Sequence, residues 1–269
     1  MPRSSEVRMQ FLRPSEIVAR LKKAPVVYIP FGPLEWHGPH MPYGTDPLNA
    51  ENVALKACAK TGGVVWPTQF WGTERERRVS HLRSLGFKDS DYIVGMDFPR
   101  NILPSMYCRE EVFAIVVREI LRQAITLGAR LAMMVNGHGG ENHMRVLDRL
   151  ATEFTNTTGL RVVNRIAAPL SAHPTGSGGH ADAGETSVMM HVHPRCVDLK
   201  ELPPKSRKIR YRDFAVVDGP GFDGRGPSVH FTLQRSDDPR FSASAQRGAR
   251  GVAMTVRQVA QETRAALIG

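Results

Sequence analysis

Four short apolar runs, each ended by glycine, proline or a polar break, decide what this chain can fold into. They are PVVYIPFG (25–32), VVWPTQFW (64–71), RLAMMVNG (130–137) and LRVVNRI (160–166). Their length and their content of Val, Ile and aromatic residues predict buried strands. Helical spacing fills the gaps between them. IVARLKK follows Pro14-Ser15-Glu16, with Ser15 as the expected cap. Asn49 to Lys60 gathers Ala, Val and Leu on one side, and REEVFAIVVREILRQAITLG (109–128) repeats apolar residues at i, i+3 and i+4 before a glycine stop. ENHMRVLDRLATEF (141–154) and an amphipathic stretch from 242 to 267 complete the set. Strands alternating with helices predict an α/β fold, with a mainly parallel sheet and helices on both faces. No internal repeat or low-complexity linker divides the chain, so residues 1–269 are expected to form one domain. Residues 73–108 are mixed in character and predict a long loop, of the kind that serves as a lid or a subunit contact.

Ligands of such sheets bind at the carboxyl ends of the strands, and the chemically expressive residues fall there. Gly32-Pro33-Leu34-Glu35-Trp36-His37-Gly38-Pro39-His40 leaves the first strand and runs on to Asp46. If the chain stays extended, Glu35 and His37 point the same way, because side chains repeat with period two. A carboxylate and an imidazole on one face make a start for a divalent metal site, and Asp46 would fold back as a bridging carboxylate. The competing reading is a Pro/Gly turn with unrelated polar residues. His40 reads as a loop histidine behind the ligands.

Asn136-Gly137-His138-Gly139-Gly140-Glu141-Asn142 leaves the third strand. It lacks both the spacing of a dinucleotide fingerprint and the Lys-Ser/Thr of a P-loop. His138 is therefore read as a metal ligand, with Asn136 and Asn142 fixing the loop. The third group, Gly178-Gly179-His180-Ala181-Asp182-Ala183-Gly184-Glu185-Thr186-Ser187, opens a helix. Glu185 sits at its start, with Thr186 and Ser187 as natural caps. His180 reads as a ligand, a proton shuttle or a surface residue, with the shuttle placed first. His191 and His193 read as core or surface residues.

Together these residues supply carboxylate oxygens and imidazole nitrogens without any cysteine, a set suited to Zn²⁺, Mn²⁺ or Fe²⁺ rather than Ca²⁺. Two ions roughly 3.5–4 Å apart and bridged by Asp46 would lower the pKa of a bridging water to about 7 and polarise a substrate carbonyl.

Composition narrows the partners. A formal charge of +10 suggests nucleic acid, and basic clusters occur at Arg75/Arg77/Arg78/Arg83 and Lys205/Arg207/Lys208/Arg210/Arg212. Yet aromatic residues are only 7%, no stacking motif is present, and Glu74 and Glu76 interrupt the first cluster. A small-molecule substrate, anionic or polyhydroxylated, fits the charge better than nucleic acid. The three cysteines, Cys58, Cys108 and Cys196, form no pair pattern, which argues for a reducing compartment. The basic N-terminal stretch has no apolar core, and no segment reaches the roughly 18–20 apolar residues that span a bilayer. A cytoplasmic protein without a membrane role is expected.

The motifs PFGPLEWHGPHMPYGTD, VNGHGGEN and GHADAGETS, in that order, resemble those of the creatininase family of metal-dependent amidohydrolases. The resemblance runs from about Ser15 to the C-terminus, where DPRFSASAQRGARGVAMTVRQVAQ is similar to the family's closing glycine-containing helix. It implies a three-layer αβα sandwich, a homohexamer and two divalent metal ions. The implied ligands are Glu35, His37, Asp46 and His138. Glu185 is the implied fifth, with Glu141 as its rival, because some members carry a Glu just after the N-G-H histidine. His180 matches the family histidine that moves a proton to the leaving nitrogen. Its usual follower, H-A-G-E, is H-A-D-A here, so Asp182 is expected to take over an orienting role. Members that act on creatinine carry an aromatic and acidic pair shortly before that histidine. Thr175-Gly176-Ser177-Gly178-Gly179 has none, so creatinine is not the expected substrate. Members also act on formamido-pyrimidines, modified peptides and cyclic keto-inositols. The implied function is hydrolysis of a C–N bond in a cyclic amide or formamide, catalysed through His180 and Glu185. Opening of a C–C bond in a keto-inositol is the alternative.

Overall fold

β1 (Val26–Phe31) runs through the middle of a four-stranded sheet. It lies between β2 (Val64–Val65) and β3 (Leu131–Asn136), and β4 (Arg161–Ile166) pairs with the far side of β3. The computed structural model describes residues 6–74, 83, 88–89, 103–169, 180–207, 209 and 235–268. All three pairings are parallel. Every residue of β1 and β3 is buried, as central strands covered on both faces must be.

Alternation along the strands decides which layer each side chain joins. Val27, Ile29 and Phe31 of β1, with Ala132 and Met134 of β3, pack against α3 (Glu110–Thr126) and α4 (Glu141–Thr157). Phe113, Val117, Leu121, Val146, Leu147 and Leu150 fill that interface. Val26, Tyr28, Leu131, Met133 and Val135 face the opposite way, onto α2 (Thr45–Thr61) and the C-terminal helix α7 (Ala245–Ile268). The Tyr28 hydroxyl, carried into that second core, bonds Thr61 Oγ1 at 2.6 Å and Thr263 Oγ1 at 2.9 Å, which ties α2 to α7. The result is the αβα sandwich expected.

Register positions the chemistry. Phe31 lies opposite Asn136, and Asn136 opposite Ile166, so β1, β3 and β4 end level with one another. The segments that follow them leave from one edge of the sheet.

Three local expectations are corrected. The 64–71 run forms a strand over only two residues, because Pro67 has no N–H for the ladder. The chain continues along β1 by separate contacts, Trp66 N–H to the Tyr28 carbonyl at 2.8 Å and Gln69 N–H to that of Pro30 at 2.9 Å. α1 (Pro14–Lys23) is capped at Arg13, whose N–H donates to Glu16 Oε2 at 2.9 Å, and Ser15 lies inside the first turn. α2 starts at Thr45 rather than Asn49, since Asp46 and Pro47 both suit a first turn. At the C-terminus a single turn, α6 (Pro239–Ser242), precedes α7. Most of the expected 73–108 loop lies outside the described residues. Among the described residues no helix is long and apolar enough to cross a membrane.

Candidate metal centre

The segment leaving β1 stays extended, held by Glu35 N–H to the Tyr43 carbonyl at 2.9 Å and Met106 N–H to the Leu34 carbonyl at 2.8 Å. Glu35 and His37 therefore share a side, and both are 1% exposed. His37 Nδ1 lies 3.1 Å from the Glu35 carbonyl oxygen. A proton on Nδ1 donated there leaves the Nε2 lone pair free to face the cluster. Asp46 reaches the same place from the first turn of α2. Its Oδ1 is 3.2 Å from His37 Nε2, and its Oδ2 is 3.2 Å from His138 Nδ1. One carboxylate thus spans two imidazoles, an oxygen to each.

His138 follows β3, and the side chain of Asn136 brackets it. Asn136 Nδ2 donates to the His138 carbonyl at 2.6 Å, while Oδ1 accepts the His138 N–H at 3.0 Å. A Cβ on Gly137 would run into the Asp46 backbone, so only glycine lets the β3 exit pass this close to α2. His138 Nδ1 is also 3.1 Å from Glu35 Oε2. Asn142 does not help to fix this loop; it donates to Glu110 Oε2 at 3.2 Å, joining α4 to α3.

The third motif opens α5 (Ala183–Val192). Its cap is Asp182, whose Oδ1 accepts from Gly184 N–H at 2.7 Å and Glu185 N–H at 2.9 Å. Thr186 and Ser187, expected as caps, lie inside the helix, and it is Asp182 that holds the turn carrying Glu185. Ala181 adopts φ +52°, a region non-glycine residues seldom use, and its N–H donates to Glu185 Oε2 at 2.6 Å. That turn sets Glu185 Oε2 3.8 Å from His37 Nε2. The His180 ring packs on His37 with centroids 4.3 Å apart, and its Nε2 is 2.6 Å from the Trp36 carbonyl oxygen.

The rival to Glu185 points elsewhere. Glu141 is the first residue of α4, its side chain 58% exposed and 4.0 Å from Arg145. His40 stays outside the cluster, with Nε2 2.9 Å from Thr186 Oγ1. His191 is exposed and His193 half-buried at the end of α5.

Three sets of side chains each offer three ligand atoms within 4.8 Å of one another: Glu35–Asp46–His138, His37–Asp46–Glu185 and Glu35–His37–His180. Asp46 belongs to the first two. His37 Nε2 and Asp46 Oδ2 are buried without a hydrogen-bond partner. Such orphaned groups cost roughly 1–3 kcal/mol each, and a divalent cation held between them removes that cost. Oxygen and imidazole donors of this kind suit Zn²⁺, Mn²⁺ or Fe²⁺.

Three acidic side chains in one cluster, Glu35 and Asp46 buried and Glu185 half-buried, demand positive charge, and protons meet that demand when no ion is bound. Burial disfavours charge on His37, but Asp46, Glu185 and Glu35 outweigh it and carry its pKa up to about 10. His138 is likewise raised well above its ordinary value, against burial, by Glu35, Asp46 and Glu74. Burial, with Asp182 and Asp46 adding to it, pushes Glu185 up to about 8. Asp46 and Glu35 move the opposite way: burial alone would raise them, but the neighbouring histidines hold both below their ordinary values. His180 is pushed down to about 3 by burial and by the charge on His37.

Two residues of this neighbourhood carry no sequence signal. The Tyr107 hydroxyl donates to Glu35 Oε1 at 2.5 Å, and Glu74 Oε2 lies 3.4 Å from His138 Nε2. In the sequence, Tyr107 belongs to an unpatterned stretch and Glu74 reads only as an acid among arginines. The stretch Thr175–Gly179 lies outside the described residues, as do Arg75, Arg77, Arg78, Lys208, Arg210 and Arg212 of the basic clusters. Arg83 is exposed and pairs with Asp89 at 2.5 Å.

Residues 10–263 match the creatininase family, described as creatinine amidohydrolase. The chain is 28% identical over 184 residues to the mycofactocin precursor peptide peptidase of Mycolicibacterium smegmatis, a match covering 66% of this chain and 62% of that protein. It is 25% identical over 141 residues to the 3-dehydro-scyllo-inosose hydrolase of Thermotoga maritima, covering 52% and 39%. To the creatinine amidohydrolase of Pseudomonas putida it is 24% identical over 197 residues, covering 66% and 68%. The matched region is thus less than two thirds of the length of the peptidase and of the inosose hydrolase. Among solved structures, creatinine amidohydrolase (creatininase) superposes with a TM-score of 0.67 at 22% identity, covering 98% of this chain and 99% of that one. A structure described as creatininase Mn superposes with a TM-score of 0.66 at 22% identity, covering 97% and 99%.

Proposed function

The chain belongs to the creatininase family of hydrolases, and we propose that it is a dinuclear metal-dependent amidohydrolase cleaving a C–N bond of a cyclic amide or formamide. The observation that carries this reading is Asp46, which offers one oxygen toward His138 and the other toward His37. In this reading Glu35, Asp46 and His138 would hold one ion, and His37, Asp46 and Glu185 would hold the other. Bound divalent ions supply Lewis acidity, which polarises a carbonyl and makes a water nucleophilic near neutral pH.

The protein's own groups do the proton work. His180 donates its Nε2 proton to the Trp36 carbonyl, which leaves Nδ1 as an acceptor. It takes the proton of the attacking water as the new C–O bond forms, and passes it to the nitrogen as the C–N bond breaks. Replacing His180 by Ala is expected to leave metal content intact while turnover falls about a hundredfold or more. Loss of metal instead would identify His180 as a ligand, a role that the Glu35–His37–His180 grouping allows.

A second reading keeps the site and changes the bond. Similarity to an inosose hydrolase, together with the formal charge of +10, supports a polyhydroxylated or anionic ketone opened at a C–C bond. A panel of lactams, formamides and inosose-type ketones separates the two. Turnover among ketones alone would defeat the amidohydrolase reading. A homohexameric assembly of single-domain chains completes the proposal, and light scattering of the purified protein tests it.

A further inference from the structure

We propose that Tyr107 and Glu74 are positioning residues for one metal position, the one formed by Glu35, Asp46 and His138. The inference rests on the two-ion reading above. Neither residue belongs to the ligand set, and each touches a different member of it from outside. Tyr107, 7% exposed, donates its hydroxyl to Glu35 Oε1 at 2.5 Å. Glu35 Oε2 then faces His138 Nδ1 at 3.1 Å, so Glu35 is presented as a ligand through a single oxygen.

Glu74, 6% exposed, lies behind His138. Its Oε2 is 3.4 Å from His138 Nε2, while Nδ1 of the same ring faces Asp46 and Glu35. The pair is not in hydrogen-bond geometry, so Glu74 acts through its charge: a carboxylate behind a ligating imidazole favours the proton on the far nitrogen and the lone pair on the near one. The ring is walled on two further sides, by His143 edge-on at 5.1 Å and by Tyr107 at 5.8 Å between centroids.

Gly140 shows that the chain is built to bring this pair together. Its φ of −56° suits any residue, so backbone freedom does not require glycine there. The requirement is spatial. A Cβ on Gly140 would lie 2.7 Å from Glu74 Oε2 and closer still to His138 Nε2, inside the space where the two groups meet. The other position, His37–Asp46–Glu185, has no outside carboxylate or phenol of this kind among the contacts described. Its supports are the Glu35 carbonyl at His37 Nδ1 and the Ala181 N–H at Glu185.

The test is titration of the metal-free protein with Mn²⁺, reading free Mn²⁺ by electron paramagnetic resonance. Wild type is expected to take up two ions. In Tyr107→Phe and Glu74→Ala, one ion is expected to weaken about 10- to 100-fold, while the other stays within about threefold. Glu74→Gln keeps an acceptor oxygen and should fall between wild type and Glu74→Ala, whereas Gly140→Ala should weaken the same ion by parting the pair. Thermal unfolding of each metal-free variant accompanies the titration, because a merely structural role would lower stability and leave the surviving affinities alone. Two affinities within about twofold of wild type in both Tyr107→Phe and Glu74→Ala overturn the inference. Equal weakening of both ions overturns it too. A wild-type chain that takes up only one Mn²⁺ defeats the two-ion reading, and the inference then stands or falls on that ion's affinity in the variants.

Discussion

Metal uptake by this protein should expel protons, and its affinity should climb steeply with pH. The perturbation is pH itself, and the magnitude follows from the cluster. Without an ion, His37 titrates at about 10 and Glu185 at about 8, while His138 is raised well above its ordinary value. At pH 6.5 all three carry a proton that a cation must displace, so filling both positions releases about three protons. Asp46 and Glu35 are held low by the histidines and add none. The ion held by His37, Asp46 and Glu185 displaces two protons, so its affinity should rise about a hundredfold per pH unit up to roughly pH 8. Beyond that only His37 still contributes, and the gain falls to about tenfold per unit. Each proton is worth about 1.36 kcal/mol per pH unit. Calorimetric titration with Mn²⁺ under argon, in two buffers of different ionisation enthalpy, counts the protons. About three are expected at pH 6.5, and fewer at pH 9, where Glu185 has already lost its proton. Fewer than one at pH 6.5, or an affinity that does not change between pH 6.5 and 8, would refute the reasoning.

The same groups set the stability of the metal-free protein. The raised pKa values of His37 and His138 stabilise the fold fully below about pH 6.5, and His37's share is lost as pH rises through about 10. The raised Glu185 pKa acts in the same direction, costing stability from about 4.5 until it is ionised near 8. The metal-free melting temperature should therefore fall between pH 6.5 and 10, and a flat or rising profile contradicts this. Asp46→Asn removes the carboxylate charge shared by the two positions and should depress the occupancy of both by elemental analysis. Retention of two full ions would show that Asp46 does not bridge. Glu185→Ala should lose one ion, whereas Glu141→Ala, altered on an exposed helix start, should keep both and stay within about twofold of wild-type turnover.

Much of this was legible in the sequence because the ligands lie close in the chain to the strands that place them. Glu35 and His37 follow β1 within a few residues, and His138 follows β3 two residues after its end. Apolar runs alternating with helical segments forecast the layered α/β sheet, and period two in the segment after β1 forecast the shared side of Glu35 and His37. What was less legible depends on partners far apart in the chain. The helical spacing places the start of α2 at Asn49, past Asp46, yet Asp46 lies in its first turn, where its neighbour Pro47 is also at home. Thr186 and Ser187 have the chemistry of caps, but Asp182 stands at the position where its oxygen meets the free N–H groups. Asn142 resembles Asn136 in the motif, and Glu110 on α3 draws it away. Tyr107 reaches Glu35 across 72 residues of sequence, and no local period can encode such a contact.

The central claim is a pair of ions sharing Asp46. Anomalous diffraction from crystals of the Mn²⁺-loaded protein, with data collected on both sides of the manganese edge, tests it most directly. Two peaks roughly 3.5–4 Å apart are expected, one on each side of the Asp46 carboxylate, with Glu185 rather than Glu141 beside the second. A single peak, or a pair that leaves Asp46 bound to only one ion, would contradict the account.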